Sequence, residues 1–70
     1  MPGPKRPKEA RSVFEKGCGK GEMLGCYGLG TMYLGGEGGP KDVEKARRLF
    51  DKACRGGEPS GCSGLGALYY

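Results

Sequence analysis

Residues 41–70 read KDVEKARRLFDKACRGGEPSGCSGLGALYY, and the periodicity of that stretch decides the fold. Val43, Ala46, Leu49, Phe50 and Ala53 recur at i, i+3, i+6, i+7 and i+10, one apolar face of an α-helix. Asp42 precedes that face as an N-cap, and Glu44 in the first turn suits the helix dipole. Gly56 and Gly57 end the helix, and Pro59 opens a second one with apolar positions at Leu65, Leu68 and Tyr69. The stretch therefore reads as a helical hairpin, helix A over about 42–55 and helix B over about 59–70.

The same pattern stands 36 positions earlier. Residues 3–34 set against 39–70 give 16 identities in 32 ungapped pairs, and a period in the thirties points to a solenoid of helical hairpins. The first helix A, about 7–18, carries Pro7, Ala10, Val13, Phe14 and Gly17 on its apolar face, with Pro7 where a first-turn proline is tolerated. It is the weaker of the two, because Gly17 replaces Ala53 and Arg6 stands where the second copy has its capping Asp42. The first helix B, about 22–34, carries Leu29, Met32 and Tyr33. The division expected is a basic, proline-rich leading segment at 1–6, repeats at 7–34 and 42–70, and the linker GGEGGPK at 35–41. The fold class expected is all-α: a solenoid of two αα-hairpins. Gly25, Gly28, Gly30 and their counterparts lie inside helix B, where each costs about 1 kcal/mol against alanine. Close approach of a neighbouring helix is the expected reason for them.

Four cysteines recur with the repeat. Cys18 and Cys54 end the A helices, and Cys26 and Cys62 lie near the start of the B helices, each pair eight positions apart. A short turn brings such positions together, so the repeat favours the bridges Cys18–Cys26 and Cys54–Cys62 over the other pairings. Each would contribute roughly 2.5 kcal/mol by the chain-entropy model. Free thiols are one alternative. A zinc site is the other, although zinc prefers closer cysteine spacing and this chain has no histidine.

Composition narrows the function classes. Seventy residues form one small domain with a marginal core. The net charge of +4 is concentrated before residue 12 and is not interleaved with aromatics, which argues against nucleic acid as partner. No apolar run reaches the ~18 residues of a membrane span, and the N-terminus lacks the apolar core of a signal peptide. The cysteine pairs suggest an oxidising compartment, periplasmic or extracellular, with the mitochondrial intermembrane space as alternative. Serine-hydrolase motifs fail: Ser12 is followed by Glu15 at the position of the S-x-x-K lysine, and no triad forms without histidine. The glycine-rich dinucleotide and phosphate-loop motifs fail as well, since Gly21 follows Lys20 where a hydroxyl residue is needed. No cofactor and no catalytic residue is expected.

The A-x3-F-x-K-A-C helix, the Gly-Gly turn, the G-C-x-x-L-G-x-L-Y helix and the GGEGGPKD linker resemble a Sel1-like repeat, an αα unit of 36 or so residues. The similarity is nearest to the disulfide-bridged type of the Helicobacter cysteine-rich proteins and of a mitochondrial respiratory-chain assembly factor. What the resemblance implies is protein binding first. Weak binding or hydrolysis of β-lactams is the alternative, and a respiratory-assembly or thiol-redox role a further one. Solenoids hold extended peptides or proteins on a concave surface lined by helix A. The polar helix A residues shared by both repeats, Arg11 with Arg47 and Lys16 with Lys52, are the candidate contacts. Leu65, Leu68, Tyr69 and Tyr70 present an apolar face that a further repeat would cover, so the chain reads as part of a longer repeat protein, able to self-associate.

Overall fold

A computed structural model describes residues 6–69, so Tyr70 and all but the last residue of the basic leading segment lie outside the described residues. Four helices follow one another: α1 (Pro7–Gly19), α2 (Met23–Gly35), α3 (Val43–Arg55) and α4 (Pro59–Tyr69). The described residues are all-α, two helical hairpins with one disulfide each.

Local chemistry sets the ends. The Asp42 carboxylate accepts the Lys45 backbone N–H at 3.0 Å, giving α3 the cap that its sequence implies. Arg6 supplies no such bond to α1, which begins instead on the pre-set φ of Pro7. Both hairpin turns close alike. After α3 the Glu58 N–H reaches the Ala53 carbonyl at 2.9 Å, while Gly57 takes φ +97°, a conformation that side chains disfavour. The Glu22 N–H reaches Gly17 in the same way at 2.9 Å.

α2 is the central helix, packed against α1, α3 and α4, whereas α1 and α3 are not packed neighbours. The A helices therefore do not lie side by side as the lining of a concave surface would; α2 stands between them. Leu29 and Met32 of α2 are buried together with Ala46, Phe50 and Ala53 of α3. Phe50 is 1% exposed, and its ring lies in the seam between α2 and α4. A Cβ built at Gly30 or Gly64 would stand 2.8 or 2.9 Å from that ring. These two glycines are present because the ring occupies the space of a side chain, and the close approach offsets their helical cost.

Gly66 occupies in repeat 2 the position of Gly30 in repeat 1, yet a Cβ there would meet nothing within 4 Å. The two glycines should therefore respond oppositely to one substitution. Gly66→Ala is expected to raise stability by up to about 1 kcal/mol in urea denaturation, the ordinary helical gain. Gly30→Ala is expected to lower stability, because the Phe50 ring must move.

Candidate functional site

Both cysteine pairs are bridged, Cys18 to Cys26 and Cys54 to Cys62, with Cα atoms 4.5 and 4.6 Å apart, and no cysteine is free. Disulfides thus take the place of the free-thiol and zinc alternatives. The two bridges differ in surroundings. Cys18 and Cys26 are buried against Ala53, with Met23, Tyr27 and Leu49 packed around them. Cys54 is half-buried and Cys62 exposed, because α3 covers the first bridge and nothing among the described residues covers the second.

Arg11 departs from its expected place. It is buried, at 9% exposure, and its guanidinium is engaged inside the chain rather than offered to a partner. Nε donates to the Glu37 carbonyl at 2.9 Å, and Nη2 to the carbonyls of Glu37 (2.6 Å), Met32 (3.2 Å) and Pro40 (3.4 Å). Its Cζ lies 4.1 Å from the centroid of the Tyr33 ring, on which the Lys45 ammonium also sits at 5.1 Å. A planar fork meets the end of α2 and two linker carbonyls that the helix geometry leaves without donors. Arg11 is a junction residue that fixes the linker between the hairpins. Its sequence signal is the step directly after Ala10, at the edge of the apolar face rather than opposite it.

The other three candidates are accessible but do not share a face. Arg47 is half-buried beside Glu44, to which its guanidinium donates twice, and Tyr69 of α4 lies close by. The hydrogen bond from Arg47 holds the Glu44 carboxyl below its ordinary range, and the same bond raises the arginine further above its own. Lys16 and Lys52 are exposed, and among the described residues neither joins an ion pair. Lys52 belongs to a feature that the repeat comparison missed. Lys45, Arg48, Lys52 and Arg55 fall at i, i+3, i+7 and i+10 and are all exposed, a cationic stripe along α3. Arg48 and Arg55 are paired with Glu44 and Asp51, at 3.4 and 3.2 Å. The first repeat carries Glu9, Ser12 and Gly19 at the corresponding positions, so comparing the copies hides the stripe.

An open cleft of about 370 Å³ runs between α1 and α2, with Pro7, Ala10, Phe14, Thr31 and Met32 among its lining. Phe14 packs on Gly28 as Phe50 packs on Gly64, but it lacks the second helix that buries Phe50. Among the described residues no helix is long and apolar enough to cross a membrane.

A family model for the Sel1 repeat matches residues 24–58, half of the 70-residue chain. The chain belongs to the Sel1 repeat family. Sel1 repeats mediate protein–protein contacts, which points to protein partners. The matched segment spans α2, the linker and α3, so the family unit runs across the junction that Arg11 fastens. No match to a curated protein or to a solved structure was found.

Solvent access separates the two Sel1 bridges chemically. Thiol–disulfide exchange needs a path to the sulfur, so Cys54–Cys62 should open well before Cys18–Cys26 in limiting dithiothreitol. Quenched alkylation and peptide mass spectrometry would give the order, and equal rates would mean that α3 does not shield the first bridge.

Proposed function

We propose that this Sel1 chain is an adaptor that binds an extended, acidic polypeptide along the exposed cations of α3. The carrying observation is the α3 stripe, on which Lys52 is exposed and without an ion-pair partner among the described residues. Arg48 and Arg55 are held upright by intrahelical pairs that a partner's carboxylates can replace at little cost, since exposed pairs contribute little. Arg11 is withdrawn from the binding set, because it is buried and the junction holds its Nε and Nη2. The repeats are taken as residues 7–34 and 42–70, each closed by its own disulfide. One bridge per hairpin, eight positions across, supports placing the chain with the cysteine-rich branch of the family. The same bridges support an oxidising compartment as its place of work.

Fluorescence anisotropy with a library of extended acidic peptides tests the assignment. Lys52→Glu combined with Arg48→Glu should weaken the best binder at least ~10-fold, with affinity that falls as salt is added. Circular dichroism and the disulfides should not change. Undiminished binding by the double variant would remove the stripe from the interface, and turnover of a β-lactam by the purified chain would favour the hydrolase reading.

A further inference from the structure

The hairpins meet along α2 and α3, and the two ends of that seam are held differently. Arg11 and the linker fasten the end where α2 finishes. At the other end Met23, the first residue of α2, lies on Gly56, the C-cap of α3. A Cβ built at Gly56 would fall on the Met23 thioether, with both Sδ and Cγ in its way. The backbone does not ask for glycine there. Gly56 has φ −78° and ψ 0°, and its counterpart in the first repeat, Lys20, carries a long side chain at φ −87° and ψ 0°. The positive φ that closes the turn belongs to the next residue, Gly57. Space for the sulfur, not conformation, accounts for Gly56. Met23 is not a repeated feature either, since Pro59 stands at its position in the second hairpin.

Inward, Met23 packs on the cluster of Cys18, Cys26 and Ala53. Outward it can be reached: Met23 is half-buried and Gly56 exposed, whereas Met32, the other methionine among the described residues, is 5% exposed. We propose that Met23 is an oxidation site, and that its thioether is a redox-sensitive latch on this end of the α2–α3 seam. The oxidant class is a hydroperoxide. The sulfur lone pair attacks one oxygen of hydrogen peroxide, and the S–O bond forms as the O–O bond breaks. The displaced hydroxide takes the proton of the S–OH cation and leaves as water. Sulfur gives up two electrons to the peroxide and becomes the sulfoxide. A thioether is soft and apolar enough to lie on a turn and on an apolar floor. The sulfoxide is larger by one oxygen and polar, and neither property fits a contact that has no room for a Cβ. Oxidised Met23 therefore leaves Gly56, and the seam loses its hold at the end away from the linker.

The test treats the disulfide-bonded chain with dilute hydrogen peroxide and reads the sites of added oxygen by peptide mass spectrometry. Met23 should be oxidised at least ~10-fold faster than Met32. The Met23 sulfoxide chain should unfold at lower urea by circular dichroism, with its folding equilibrium constant reduced at least ~10-fold. Met23→Leu keeps an apolar side chain of similar size at the contact and removes the sulfur. It should fold as the parent does, and peroxide should leave its urea midpoint where it was. Gly56→Ala should push the thioether into solvent and speed its oxidation. Four results overturn the latch: equal oxidation of Met23 and Met32, a sulfoxide chain as stable as the parent, a Met23→Leu chain that peroxide weakens to the same degree, or an unchanged oxidation rate in Gly56→Ala. None of them bears on the acidic-peptide test at Lys52 and Arg48, so the two readings fail separately.

Discussion

One aromatic ring holds the two hairpins together. Phe50 lies between Gly30 of α2 and Gly64 of α4 and tilts against Tyr27 with ring centroids 5.7 Å apart, so a single side chain serves both sides of the seam. Burial of a ring of this size contributes on the order of 2–3 kcal/mol, a large share of what so small a domain can gather. Gly30 and Gly64, individually poor helix formers, follow from that geometry. With larger residues there the helices would be driven apart and the ring would lose its contacts.

Around the seam two devices share the remaining work. The disulfides close each hairpin across its turn and limit what the unfolded chain can explore. Arg11 fastens the linker: the Asp42 N–H reaches the Tyr33 carbonyl at 2.9 Å and the Glu37 N–H reaches the Met32 carbonyl at 2.9 Å, while the guanidinium shares the Met32 carbonyl and takes those of Glu37 and Pro40. A linker with glycines at 35, 36, 38 and 39 has no apolar anchor of its own, so it is ordered chiefly by these bonds. That is a strong reason for a buried cation in a chain with so little interior.

Much of this was legible in the sequence. Helix A of the second repeat announces itself through the spacing of Val43 to Ala53 and through Asp42, because an amphipathic helix with a cap is a local feature. The cysteine pairing was legible from its recurrence at a fixed interval. The role of Arg11 was not. Repeat identity with Arg47 placed both among polar surface residues, and only the three-dimensional course of the linker shows that the first is enclosed and the second is not. Identity between repeats reports equivalent positions, but exposure depends on what packs next to each. The α3 stripe was missed for the converse reason: it lies in one copy only, and the comparison of copies discards what they do not share.

The central claim is that the Phe50 seam makes both hairpins one cooperative unit, rather than two disulfide-closed units lying in contact. Native-state hydrogen exchange on Phe50→Leu tests it, since that change keeps an apolar side chain and costs about 1 kcal/mol. If the claim holds, the slowest amides of α1, α2, α3 and α4 lose protection by the same factor. If α3 and α4 lose protection while α1 and α2 keep theirs, the hairpins are independent and the seam does not join them.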